Sequence, residues 1–147
     1  MLKYISEDTL VRQPSLPSII DTINTDQEVR DACLQAISDL DPRDLTGKVM
    51  KAHQHFGAVD FLDKILSPVM RDVGNQYTAG SMRIAHEHMA TAVLRTYLGS
   101  VFEHSVPNRE AATAVATTLQ GDCHELGSLG TAMTAAVEGW PGNLPRT

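Results

Sequence analysis

The chain predicts a mainly α fold: a four-helix bundle followed by an incomplete α/β segment made of one β-loop-α unit. Three observations carry this. Four apolar stripes recur at helical spacing between Asp26 and Phe102, bounded by capping and turn residues. The connections between them are short, as in an antiparallel bundle. From Glu110 the character changes to a β-branched run, a Gly-containing loop and a last helix-forming stretch.

Residues 1–24 carry Pro14 and Pro17 and no sustained period, so they read as a leader or linker with one helical turn near 18–23. Thr25 and Glu28 then form a capping box. Val29, Cys33, Ala36, Ile37 and Leu40 follow on one stripe, giving a first helix over about 26–39. Asp41-Pro42 opens the second, a capping Asp with Pro at the first helical position. Its stripe is Leu45, Val49, Ala52 and Phe56, and Gly57 is expected to close it in the left-handed conformation.

The third helix is expected over 58–76, with Phe61, Leu62, Ile65, Leu66, Val69, Met70 and Val73 inward. Pro68 should kink it or divide it near Ser67. Thr78-Ala79-Gly80 makes a turn, and Ser81 caps a fourth helix reaching about Phe102. Ile84, Ala85, Met89, Ala92, Val93, Thr96, Tyr97 and Val101 are available for its packing. After a linker at 104–109, residues 112–119 form the candidate strand, 120–127 the loop and 128–138 a helix. The expected domains are the leader 1–24, the bundle 25–104 and an α/β start at 110–147.

With 147 residues the chain holds one ordinary domain, or one and part of another. Apolar residues reach 42%, enough for a packed core, while aromatics are 5%. Net charge is −6 and the 12 basic residues form no stripe, which argues against a nucleic-acid-binding surface. No apolar run reaches the ~20 residues of a membrane span, and residues 1–8 are too polar for a signal peptide. A cytoplasmic location is expected. Cys33 and Cys123 are too few and too distant for a disulfide framework. The first falls on an apolar stripe, the second in the candidate loop.

Two motifs carry chemistry. Asp122-Cys123-His124-Glu125-Leu126-Gly127 follows the β-branched run, where an α/β domain presents a ligand. An Asp two positions before a His can fix that imidazole's tautomer and raise its basicity. Gly127 admits close approach to the backbone. The bland alternative is that Asp122 and Glu125 form a capping box and His124 is a polar loop histidine. Upstream, Tyr77 is followed after nine residues by Glu87-His88. Residues 87 and 88 lie about 100° apart on a helix, so both can reach one end of a cavity. Alternatively Tyr77 is a core aromatic and the pair is solvated. His53-x-His55 and His86-x-His88 point about 200° apart on helices and cannot share one ion. No Ser-His-Asp order, phosphate loop or paired catalytic carboxylates stands out, so the chain reads as a non-enzyme.

Asp122-x-His124-x-x-Gly127 resembles the pattern of cobalamin-binding domains that ligate cobalt through a protein histidine. Tyr77-x(9)-Glu87-His88 resembles the Trp-x(9)-Glu-His signature of the helical cap in cobalamin-dependent, light-responsive transcriptional regulators. The resemblance covers about residues 26–140, with Tyr in place of Trp as its clearest departure. It implies that His124 is the lower axial cobalt ligand, held by Asp122, and that Gly127 lets the corrin pass. It implies further that Tyr77, Glu87 and His88 approach the upper axial group. The Tyr-for-Trp change leaves open which upper ligand is accommodated.

In that family, loss of the upper cobalt–carbon bond changes how the two domains pack and hence their assembly. No winged-helix segment precedes the bundle, so action through a protein partner or self-association is expected, or membership of a longer regulator. The family's Ser-x-Leu and Gly-Gly motifs, which line the slot for the nucleotide tail, are not in their proper place, and only nine residues follow Glu138. The chain is therefore expected to be truncated relative to the family, to contain a single strand, and to bind cobalamin weakly. Two alternatives stand beside this reading. One is a corrinoid carrier of a methyltransferase system, which shares the loop but not the aromatic-x(9)-Glu-His signature. The other is a helical interaction module with a decayed cofactor site.

Overall fold

The computed structural model describes residues 25–104, 113–117, 125–140 and 142–143. The leader 1–24 and most of the candidate loop, including Asp122, Cys123 and His124, lie outside the described residues. The fold is mainly α, with a short α/β segment after the bundle.

Helix α1 spans Asp26–Ser38 and opens with the expected capping box. Thr25 Oγ1 accepts the Glu28 N–H at 3.2 Å, and Glu28 Oε2 accepts the Thr25 N–H at 3.1 Å. Val29, Cys33, Ala36 and Ile37 are buried, but Leu40 is not part of the stripe. It stands 45% exposed with φ +53°, just past the helix end, where the chain turns so that the Asp41 N–H reaches the Ala36 carbonyl. Helix α2, Pro42–Phe56, has Asp41 Oδ1 accepting the Arg43 and Asp44 N–H groups at 3.0 and 2.9 Å. Gly57 closes it with positive φ as expected, but with ψ 171° rather than a left-handed helical value. That region is open essentially to glycine alone.

Helix α3 comprises Ala58–Asp60, a π-helical stretch Phe61–Leu66, and Ser67–Thr78. Pro68 is expected to kink the helix or divide it near Ser67, and at Ser67 the helix passes from π-helical to α-helical form. Pro68 has no N–H for the carbonyl four residues back, that of Lys64, and its ring crowds that carbonyl. The chain widens the preceding turn instead, and the Ser67 N–H reaches back five residues to the Leu62 carbonyl. Ser67 Oγ donates to the same oxygen at 2.8 Å. The Lys64 carbonyl is taken up by Arg30 Nη1 of α1 at 3.1 Å.

Helix α4 is Ile84–His104. Ser81 does not cap it, contrary to expectation: its Oγ donates to the Gln76 carbonyl, finishing α3. The cap is made by His86, whose Nδ1 accepts the Arg83 N–H at 3.0 Å. The buried side of α4 is Ala90, Leu94 and Leu98, not the stripe expected above. Ile84, Ala85, Ala92 and Thr96 are exposed, while Met89, Val93, Tyr97 and Val101 pack only partly against the core.

Strand β1 (Ala114–Val115) pairs in parallel with β2 (Gly142–Asn143), in the register Ala114↔Gly142 and Val115↔Asn143. The expectation of a single strand is thus corrected to a minimal β-α-β unit around helix α5, Glu125–Val137. A two-residue parallel partner satisfies part of the strand's backbone, which a lone strand could not do. Helix α5 begins at Glu125 rather than Ser128, which moves Gly127 out of the loop and into the first helical turn. Leu129 and Met133 of α5 join the bundle core. Gly130 seats against the π-helical stretch: a Cβ there would lie 3.3 Å from Leu62 Cδ2. Among the described residues no helix is long and apolar enough to cross a membrane.

Candidate functional site

The end of the bundle where α3 passes into α4 presents three of the sequence-derived residues. Tyr77 occupies the last turn of α3 and is 47% exposed. Gly80, with φ +76°, reverses the chain, and buried Met82 anchors the turn. One turn before His88 on α4, Ile84 is also 47% exposed. Tyr77 and Ile84 are two of the eight large apolar side chains that stand exposed among the described residues.

Glu87 and His88 are brought together directly. Glu87 Oε2 lies 2.6 Å from His88 Nδ1, and Glu87 Oε1 accepts the Thr91 hydroxyl at 3.0 Å. The Glu87 side chain is 31% exposed and that of His88 71%. An ionised carboxylate can only accept, so the proton of neutral His88 sits on Nδ1 and Nε2 carries the lone pair. A carboxylate behind one ring nitrogen is the arrangement that holds metal-facing histidines. Thr91 was not singled out from the sequence, although its place four residues after Glu87 was visible there.

Gly127 lies elsewhere. It lines a cleft of about 320 Å³ between α5 and the π-helical part of α3, facing Leu62, Leu66, Ser67 and Met70. Tyr77, Glu87 and His88 are not among the residues that line this cleft. A Cβ at Gly127 would meet nothing within 4 Å, and its φ is not positive, so the turn does not require glycine there.

His53 and His55 are spent on structure. His53 Nδ1 lies 2.7 Å from Tyr97 Oη, its ring 5.4 Å from that of Phe61, joining α2, α3 and α4. Burial lowers the His53 pKa and raises that of Tyr97. His55 packs edge-on against Phe56 at 4.7 Å. Cys33 is a core thiol, its pKa pushed up to about 11 by burial, with a smaller opposing effect of Lys48. No cluster of three potential metal-ligating side chains occurs among the described residues.

Residues 29–101 match the family model described as "B12 binding domain". Tyr77, Glu87 and His88 fall inside the matched segment, whereas Asp122, His124 and Gly127 lie beyond it. The chain is also similar to the HTH-type transcriptional repressor CarH of Myxococcus xanthus, with 31% identity over 71 residues. That match covers 48% of this chain and 23% of the relative, so the chain corresponds to under a quarter of that protein.

Proposed function

We propose that this chain is a cobalamin-binding sensory module that regulates transcription through a protein partner, through self-association or as part of a longer regulator. The supporting observation is the Glu87–His88 pair, near the start of the helix that follows exposed Tyr77 and inside the segment that matches the B12 binding domain family. Cobalamin, when bound, supplies a light-sensitive or exchangeable cobalt–carbon bond. In this reading Tyr77, Glu87 and His88 meet the upper axial side. His124 is the lower axial ligand, a neutral imidazole being suited to cobalt. Asp122 holds the far nitrogen of that ring, and Gly127 leaves room for the corrin edge. The family relation and the regulator relative favour a binding role over catalysis.

The test is the visible absorbance of the purified chain with adenosylcobalamin, in the dark and after illumination. A protein-dependent spectral change in the dark supports binding, and a further change on illumination supports light sensing. A folded chain that leaves the cofactor's spectrum unaltered overturns the proposal.

A further inference from the structure

We infer that Thr91 is a positioning residue: through Glu87 it fixes the tautomer of His88, so that the His88 Nε2 lone pair faces outward. Neighbouring side chains on a helix diverge by about 100° and do not meet by default. Glu87 and His88 nevertheless stand 2.6 Å apart. What turns the carboxylate is Thr91, four residues on and directly above Glu87, whose hydroxyl holds the other oxygen at 3.0 Å. With Oε1 held, Oε2 is left to accept the Nδ1–H of the next side chain. The half-buried Thr91 and Glu87 shield this chain of bonds, while the 71% exposed His88 side chain carries its outer nitrogen into solvent.

Two residues earlier the helix does the opposite with the same side-chain type. His86 Nδ1 accepts the Arg83 N–H, a group that can only donate, so neutral His86 carries its proton on Nε2. Its 3.2 Å approach to the Arg83 carbonyl is then a contact and not a donated bond. The two histidines therefore present opposite faces outward: a donor from His86 and a lone pair from His88. On the cofactor reading above, that lone pair is what the bundle offers to the axial side of the corrinoid, and only this last step rests on that reading.

Long-range proton–nitrogen correlation spectra of the isotope-labelled full chain, taken at alkaline pH, report both tautomers together. The expected result is Nδ1–H for His88 and Nε2–H for His86. Thr91→Val keeps the shape and removes the hydroxyl, and it should shift His88 from the Nδ1–H form towards the Nε2–H form that free imidazole favours. Thr91→Ser should restore the wild-type pattern. His86 should stay Nε2–H throughout, showing that the start of α4 is intact. A wild-type His88 already in the Nε2–H form, or a Thr91→Val spectrum identical to wild type, overturns the inference. Failure of hydroxocobalamin to bind the same sample, read from its visible spectrum, would count against the proposed function and not against the role of Thr91.

Discussion

Arg30 Nη1 donates to the carbonyl oxygen of Lys64 at 3.1 Å, and that oxygen is the one Pro68 leaves without a helical donor. The contact ties α1 to the π-helical turn that carries Leu62 against Gly130 of α5. Arg30 and Lys64 lie 34 residues apart in the chain, and Leu62 of the same π-helical turn lines the cleft where Gly127 lies.

Arg30→Ala should destabilise the fold by about 1 kcal/mol, the usual net worth of one hydrogen bond. Pro68→Ala returns an N–H to the helix, so the same Arg30 substitution should cost less in that background. Chemical denaturation of the two single variants and the double variant measures the coupling. Additive costs would show that Arg30 does not act through the Pro68 gap.

The bundle was legible where caps and stripes agree. Thr25, Asp41 and Pro42 fixed the starts of α1 and α2, and three consecutive stripes named most of the core correctly. Helix α4 resisted because apolar residues occur around most of its circumference, so periodicity did not single out Ala90, Leu94 and Leu98. Pro68 was visible, but its consequence depended on Arg30, a residue of another helix. The parallel pairing of β1 with β2 was hidden by strands of two residues, too short for any alternation. Of the candidate site, the Glu87–His88 pair was legible and the bond from Thr91 was not, because hydroxyl orientation is set by side-chain geometry.

Leu40 offers a stabilising change. It holds φ +53°, a conformation that costs a branched L-residue roughly 1–2 kcal/mol, and it buries little in return. Leu40→Gly should raise stability by about 0.5–1 kcal/mol after the extra chain entropy of glycine is subtracted. A lowered melting temperature would mean that the exposed leucine packs more than its position suggests.

Stability should fall on acidification through His53. Burial holds this imidazole below its ordinary value of 6.5. As pH drops past that value the unfolded chain takes up the proton first, so stability is full above 6.5 and declines from there towards the folded value. His53→Gln should flatten the slope, measured as denaturation midpoints across that window. Tyr97→Phe should cost about 1 kcal/mol by removing the hydroxyl bonded to His53. An unchanged slope in His53→Gln would assign the pH dependence to another group.

Gly127 separates a structural from a functional glycine. It sits in the first turn of α5 with an unstrained φ and open space around a would-be Cβ. In the free chain Gly127→Ala should therefore stabilise, by up to about 1 kcal/mol from helix propensity. If a corrinoid edge passes over this turn, the same methyl obstructs it, and cobalamin affinity should fall while stability rises. His124→Ala should remove any histidine-on cobalt spectrum altogether, whereas Asp122→Asn should weaken binding by about 10–100-fold, as outer partners of metal-bound histidines do. Thermal denaturation and cobalamin titration of the three variants read both quantities. Raised stability with undiminished affinity in Gly127→Ala would place the cofactor away from this turn. A histidine-on spectrum persisting in His124→Ala would remove His124 as the lower ligand.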